Sequence, residues 1–126
     1  MMYGKVDQNF EAMIRLVVGN SESKRQTIDA LIDTGFTGFL SLPMAVISDL
    51  NLKLCGREEG TLGDGSLCTF DVYRGFVIWD GQLRRIDINA AETTSLVGMS
   101  LLKGYRMKLD AIVGGEVSIQ SLITLE

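Results

Sequence analysis

Short apolar runs separated by polar, glycine-containing turns make up most of the sequence. Residues 13–18 and 27–32 are two such runs, and the polar segment 19–24 between them predicts a pair of antiparallel strands. A further apolar run leaves the loop that begins at Asp33. Because the runs are short and end in turn residues, the pattern predicts a chain that is mostly β.

Three dipeptides whose residues tolerate positive φ predict tight hairpins. Each lies between two strand-like arms: Asp64-Gly65 between 59–63 and 66–72, Asp80-Gly81 between 76–79 and 83–88, and Gly114-Gly115 between 109–113 and 117–119. If the first turn has two residues, Cys68 lies opposite Thr61 and Cys55 lies opposite Arg74. The two cysteines then do not face each other, and we expect reduced thiols rather than a disulfide.

Two short helices are expected among these strands. Pro43 suits the first position of a helix over 44–50 that stops near Asn51, and residues 99–103 form a second helix with Gly104 as its C-terminal cap. Many short strands with tight turns and little helix predict an all-β fold, either a closed barrel or a sandwich.

The composition narrows the class of protein. A chain of 126 residues with 46% hydrophobic residues fits one domain over 1–126 with a sizeable core. A net charge of −4 argues against a nucleic-acid partner. No apolar run approaches the roughly 18 residues that cross a bilayer, and the N-terminal residues do not resemble a secretory signal. We therefore expect a cytoplasmic protein without a membrane partner.

The absence of histidine limits the available chemistry. No Ser–His or Cys–His catalytic unit and no histidine metal site can form, and two cysteines are too few for a tetrahedral zinc site. We expect no metal and no cofactor. For an enzyme of this kind, carboxylates are the leading candidates for acid–base catalysis.

The most informative segment, residues 30–40, carries an acidic residue out of an apolar strand. Asp33 ends the strand, and Gly35 and Gly38 allow backbone N–H groups to approach its carboxylate closely. An ionised carboxylate near a core is unfavourable unless it is well hydrogen-bonded. For the tripeptide alone, a plain Asx-type turn is the preferred explanation.

Two further segments favour a functional interpretation. A Leu-Val-Gly sequence at 96–98 leads into a predicted helix, and a glycine hairpin at 63–66 lies between it and the Asp-Thr-Gly sequence at 33–35. In this order the segments resemble the retropepsin-like aspartic peptidases, in particular the bacterial and archaeal cellular members, over about residues 12–120. The resemblance implies a closed, barrel-like acid protease fold with one or two short helices, equivalent to half of a bilobal pepsin.

The resemblance also implies roles for individual residues. Asp33 is expected to be the catalytic carboxylate, Thr34 to hydrogen-bond to a partner subunit, and Gly35 to direct its N–H at the Asp33 carboxylate. Residues 96–98 are expected to pack behind this loop. The implied flap spans residues 62–67. The implied substrate-binding residues are Leu62, Gly63, Asp64, Gly65, Ser66 and Phe36.

A second carboxylate is needed because peptide hydrolysis by carboxylates uses one ionised and one protonated group. The chain has one Asp-Thr/Ser-Gly sequence, so we expect the second group to be Asp33 of another copy on a two-fold axis. The sequence thus predicts a homodimeric aspartic endopeptidase that acts on polypeptides. Strands for the dimer are expected from residues 117–125 or from the N-terminus.

Two alternatives remain open. Phe36 replaces a residue that is often small in the family, and Thr37 and Met99 stand where viral members carry an acid and a base. These departures motivate a second hypothesis, a catalytically silent dimerisation or peptide-binding module on the same fold, against which the intact Asp33-Thr34-Gly35 sequence speaks. Phosphoryl transfer through an aspartyl phosphate at Asp33 has less support, because no second acid follows at the usual spacing.

Overall fold

The computed structural model describes residues 1–21, 24–92 and 94–123. The strands in chain order are β1 (Met2–Val6), β2 (Ala12–Gly19), β3 (Arg25–Ile32), β4 (Leu40–Pro43), β5 (Lys53–Thr61), β6 (Leu67–Trp79), β7 (Gln82–Ala91), β8 (Leu96–Val97), β9 (Tyr105–Leu109) and β10 (Glu116–Ser121). Two short helices, α1 (Met44–Asp49) and α2 (Met99–Leu102), complete the described elements. The prediction of an all-β fold with one or two short helices is confirmed.

Six of the strands form a closed barrel. Following the hydrogen-bonded neighbours, the order is β2-β3-β8-β4-β7-β6, and the ring closes because β6 pairs with β2, with Val18 opposite Val77. The predicted antiparallel pair β2–β3 is present, from Met13 opposite Leu31 to Gly19 opposite Arg25. Two neighbouring pairs, β3–β8 and β4–β7, are parallel.

The barrel interior is filled by the alternate apolar side chains of these strands. Val18, Ala30, Leu40, Val77 and Ile88 are completely buried. Since successive residues of a strand point to opposite faces, one face of each run forms the core and the other faces outward. The alternation along 13–18 and 27–32 therefore follows from barrel closure.

Both helices begin after an extended residue. Pro43 caps α1 with ψ 150° instead of occupying its first turn, which corrects the expectation, and the chain leaves the helix through Asn51 at φ 53°. Gly98 caps α2, and Gly104 follows it at φ 85°. A positive φ is a common conformation just after a helix, where glycine and asparagine are favoured.

The hairpin at Asp80-Gly81 has the predicted two-residue turn. Trp79 pairs with Gln82, and both turn residues have positive φ, 52° and 79°. These angles are those of a type I′ turn, whose twist matches that of the flanking strands.

The hairpin at Asp64-Gly65 has a longer loop than predicted. Thr61 pairs with Leu67, and Leu62 donates its N–H to the carbonyl of Ser66 at 2.8 Å. Gly65 alone in this loop has a positive φ, 85°, which is the geometry of a three-residue loop ending in a left-handed residue. The register between β5 and β6 therefore differs by one residue from the predicted register.

This shift changes the surroundings of the cysteines. Cys68 lies opposite Gly60 rather than Thr61, and the β5–β6 register shifts again between Leu54 and Gly56, which leaves Cys55 unpaired in the ladder. The predicted partners were therefore wrong. Both cysteines are nevertheless free, as expected.

The third hairpin also differs from the prediction. β9 ends at Leu109, so the expected arm over 109–113 is absent and residues 110–115 form a loop. This loop binds the end of β1, because Gly114 donates its N–H to the carbonyl of Val6 at 2.8 Å and Val6 donates to Gly115 at 2.9 Å. The backbone partners of the loop are thus supplied by the N-terminal strand β1, which pairs within the chain.

Neither terminal strand has a free edge for a partner. β1 lies between β2 and β10, and β10 lies between β1 and β9. Residues 124 and 125 of the expected C-terminal segment lie outside the described residues. Among the described strands, the ends of the sheet are β5 and β9.

Candidate active site

The Asp33 loop starts where β3 leaves the barrel. Ile32, which is buried, lies opposite Val97 in the parallel pair with β8, and Asp33 donates its N–H to the carbonyl of Val97 at 2.9 Å. The strand pairing therefore holds the backbone of Asp33, while its side chain lies half-buried at the end of the barrel.

The carboxylate of Asp33 is oriented by its own loop. Gly35 donates its N–H to Oδ1 of Asp33 at 2.9 Å, and Phe36 donates its N–H to the carbonyl of Asp33 at 3.1 Å. This is the geometry of an Asx-type turn, and it also gives the Gly35 contact that the resemblance implies. Thr34 and Gly35 are exposed at the outside of the turn.

The first turn of α2 holds the far side of the loop. Met99 donates its N–H to the carbonyl of Phe36 at 2.8 Å, and the Ser100 hydroxyl donates to the carbonyl of Thr37 at 2.6 Å. Gly98 donates to the carbonyl of Phe39 at 3.0 Å. The loop is thus tied to β8 at its start and to α2 at its end.

A cleft of about 570 Å³ lies beside this loop and reaches the β5–β6 hairpin. Asp33, Gly35 and Phe36 line it from the loop, and Leu62 and Gly63 line it from the hairpin. The other residues expected at the site do not line it: Thr34, Asp64, Gly65 and Ser66.

Several residues that line the cleft were not predicted from the sequence. Glu58 and Glu59 line it from β5, Phe70 from β6, and Asp87 and Asn89 from β7. Glu58 directly precedes the predicted arm over 59–63, and Glu59 begins it. Placing the predicted hairpin over the Asp33 loop would therefore have indicated both glutamates. The β7 residues reach the cleft only through the parallel pairing of β4 with β7, which no local pattern specified.

The cleft lies over one face of the β5–β6–β7 part of the sheet, because Phe70 of β6 and Asp87 and Asn89 of β7 line it together with residues 58–63. Among the described strands β5 is one end of the sheet, so the backbone N–H and C=O groups along one of its edges have no neighbouring strand. Such an edge can pair with an extended peptide.

The charged residues that line the cleft are all acidic: Asp33, Glu58, Glu59 and Asp87. Asp87 forms an ion pair with Arg74 at 3.0 Å, and Arg74 does not line the cleft. The ion pairs of the described residues do not include either glutamate. The cleft is therefore a region of negative potential.

The tip of the hairpin carries a carboxylate with a shifted pKa. Asp64 accepts hydrogen bonds from the Ser66 hydroxyl at 2.6 Å and from the Ser66 N–H at 2.9 Å. These bonds favour the ionised form and lower the pKa of Asp64 below its ordinary value of 3.8.

Within the described ranges, no group of three or more Cys, Asp or Glu side chains is arranged to hold a metal ion. The same part of the chain contains no helix that is long and apolar enough to span a membrane.

Comparison with solved structures identifies the fold. The chain is similar to EIAV protease in complex with the inhibitor HBY-793, with a TM-score of 0.56 and 16% identity over 74% of this chain and 86% of that one. It is similar to a retropepsin-like aspartic protease from Rickettsia conorii, with a TM-score of 0.58 and 15% identity over 95% of this chain and 91% of that one. No family model and no curated protein sequence matches the chain. The barrel, the Asp33 loop and these likenesses together show that the chain has the retropepsin-like fold.

Proposed function

We propose that the chain is an aspartic endopeptidase that acts as a homodimer. The observation that carries this proposal is the position of Asp33, on a hydrogen-bonded loop that opens into a cleft bordered by the end strand β5 and its hairpin. The two solved structures of similar fold are described as a protease and as a retropepsin-like aspartic protease, which supports the same assignment.

The chemistry requires two carboxylates in different protonation states. The ionised one takes a proton from a water molecule, whose oxygen attacks the carbonyl carbon of the scissile bond, while the protonated one hydrogen-bonds to the carbonyl oxygen. Breakdown of the tetrahedral intermediate then breaks the C–N bond, and the leaving nitrogen takes a proton from the carboxyl pair. In this proposal Asp33 supplies one carboxylate and Asp33 of a second copy supplies the other.

The free edge of β5 supports polypeptide as the substrate class. An extended peptide at the free edge of β5 can exchange main-chain hydrogen bonds with those residues of 58–61 whose backbone groups point away from β6, which gives affinity that does not depend on sequence. Leu62 and Gly63 then cover the peptide from the hairpin side, as expected of a flap. A folded substrate has no free strand to offer, so exposed segments are the expected targets.

In this proposal the dimer contact does not use the terminal strands. β1 and β10 are each paired on both edges within one chain. Thr34 is exposed on the Asp33 turn and is free to approach the same turn of a second copy. We therefore place the two-fold axis at the active-site loops, where it also brings the two carboxylates together.

Cleavage of an unstructured protein between pH 3 and 7 tests the activity. Asp33→Asn removes the ionisable group and is expected to abolish cleavage, whereas Asp29→Asn, which breaks only an exposed ion pair with Arg15, is expected to leave the rate unchanged. Equal cleavage by the wild type and the Asp33 variant would contradict the proposal. Binding of the unstructured protein without turnover would favour the silent module.

Mixing wild-type and Asp33→Asn chains tests the shared site. If both carboxylates are needed and the chains exchange freely, activity falls with the square of the wild-type fraction, so that an equimolar mixture keeps about a quarter of it. A linear decrease would mean that each chain works alone and would exclude the shared pair.

A further inference from the structure

Phe36 fills a space that is left by two glycines on different segments. A Cβ atom added to Gly38 would lie 2.5 Å from Cζ of Phe36, and one added to Gly98 would lie 2.7 Å from Cδ2. The ring therefore spans the gap between the Asp33 loop and the start of α2. No side chain larger than hydrogen fits at either glycine while the ring is there.

The backbone that carries the ring is hydrogen-bonded on both sides of the residue. Phe36 donates its N–H to the carbonyl of Asp33 at 3.1 Å, and its carbonyl accepts the N–H of Met99 at 2.8 Å. The Cα of Phe36 is thus held between the Asp33 loop and the start of α2.

The ring is half-buried, and it lines the cleft together with Asp33. Its covered side rests on the two glycines, and the rest of it contributes apolar surface to the cleft beside the carboxylate. Without the ring, a pocket bordered by Gly38 and Gly98 would open into the cleft at this point. The space that a substrate side chain could enter is therefore already filled by the protein.

We propose that Phe36 determines specificity by excluding large side chains from the substrate position that lies against it, so that small residues such as Gly, Ala or Ser are selected there. This inference rests on the proposed peptidase function, because it concerns the same cleft. A pocket that differs by a few methylene groups discriminates between substrates by about tenfold or more.

The test compares cleavage of peptide sets in which one residue at a time, on either side of the scissile bond, is varied from Ala to Leu. Phe36→Ala is expected to raise the Leu/Ala ratio of kcat/KM at least about tenfold at one position and to leave the other positions unchanged. Phe70→Ala is the matched control, because Phe70 also lines the cleft and covers a glycine, Gly60, on the opposite side.

An unchanged ratio at every position, or a uniform loss of activity in a Phe36→Ala variant that keeps its fold, would overturn the proposal, since a structural role alone predicts a uniform loss. If Phe70→Ala raised the Leu/Ala ratio at the same position, the proposal would also be overturned, because the effect would then reflect general widening of the cleft.

A second variant covers the case in which Phe36→Ala folds poorly. Adding Gly38→Ala to it places a methyl group where the ring was, and the nearest remaining atom is then Asn89 Oδ1 at 3.2 Å. The double variant is expected to melt above the single variant and to recover part of the selectivity for Ala. Gly98→Ala is the matched control that should not restore stability, because its Cβ also meets the backbone oxygen of Gly38. Equal rescue by both alanines would contradict the assigned position of the ring.

Failure of the proposed function is distinguishable from failure of this inference. If the wild type cleaves none of the peptides, their affinities are measured by fluorescence anisotropy. A Leu/Ala affinity ratio that rises in Phe36→Ala supports the size selection even without catalysis, and an unchanged ratio contradicts it. Absence of binding to any variant contradicts both.

Discussion

At the scale of single residues, the Asp33 turn shows how local spacing fixes a carboxylate. The glycine two residues later donates its N–H to Oδ1, and the aromatic residue three later donates to the main-chain carbonyl. Both contacts are local, so the sequence could predict the turn. What the turn faces depends on strand pairings that bring distant segments together, and local sequence does not specify those.

Asp64 is expected to make the stability of the hairpin tip depend on pH. Its pKa is lowered in the folded protein by Ser66, so the hydrogen bonds contribute stability at pH values above 3.8, and this contribution is lost as the pH falls through the lowered pKa. The tip of the hairpin is therefore expected to loosen at strongly acidic pH.

Ser66→Ala is expected to raise the pKa of Asp64 part of the way towards 3.8, because the hydroxyl bond is lost while the bond from the backbone N–H remains. Titration of the side-chain carboxyl resonance by NMR measures the change. Ser48→Ala, an exposed serine in α1, is the matched control and should leave the titration unchanged. A pKa that does not move in Ser66→Ala would show that the hydroxyl bond is not formed in solution.

Sequence reasoning located the candidate carboxylate but only part of the cleft. Asp33, Gly35 and Phe36 line it as expected, whereas Asp64 and Ser66 bond to each other at the tip. The one-residue error in the hairpin register arose because only Gly65 adopts a positive φ. An Asp-Gly pair is compatible with both loop lengths, and the choice between them depends on how the long arms pair.

At the scale of elements, the β5–β6 hairpin has two glycines with different backbone conformations. Gly65 has φ 85°, which L-residues with side chains adopt at a cost of about 1–2 kcal/mol. Gly63 has an ordinary φ, and no atom lies within 4 Å of the position of an added Cβ. The two positions therefore make a matched pair for the same substitution.

Gly65→Ala is expected to destabilise the loop by about 1–2 kcal/mol and to reduce cleavage, because the displaced loop no longer sets the position of Leu62 over the cleft. Gly63→Ala is expected to keep wild-type stability and to stiffen the loop slightly. Hydrogen exchange of the amides of β5 and β6 measures the local effect. Equal effects of both substitutions would mean that the left-handed residue does not determine the loop.

The strands β1 and β9 are each five residues long, and both pair with β10. Their inward side chains, among them Met2 of β1 and Met107 of β9, pack against the core. Local sequence does not specify the pairing with β10 that joins them to the sheet. The apolar runs of β2 and β3, in contrast, form strands because burial in the barrel requires their alternation.

At the scale of the whole molecule, barrel closure joins segments that are far apart in sequence into one acidic cleft. β5 contributes Glu58 and Glu59, and the Asp33 loop contributes the candidate catalytic group. The chain has a net charge of −4, so the negative electrostatic potential of the cleft adds to that of the whole chain. A dimer with two such clefts around a common axis doubles the number of glutamates near the substrate.

We expect this field to favour peptides that carry Lys or Arg beside the scissile bond. Charges of opposite sign raise the association rate and the local concentration of substrate, and salt screens the effect with a Debye length of about 8 Å at physiological ionic strength. Peptides with Lys should be cleaved with a higher kcat/KM than the same peptides with Glu, and the ratio should decrease as salt is added.

Substitution of both glutamates, Glu58→Gln with Glu59→Gln, is expected to reduce this preference several-fold while leaving cleavage of neutral peptides comparable, since the amide keeps the size of the side chain. Glu116→Gln removes the same charge at an exposed position of β10, outside the cleft, and should leave the preference close to that of the wild type. If Glu116→Gln reduces the preference for Lys over Glu peptides as much, for each charge removed, as the cleft substitutions do, then the net charge alone attracts the substrate. A preference confined to the cleft glutamates would mean that barrel closure itself, by placing the edge of β5 beside Asp33, selects the charge of the polypeptide.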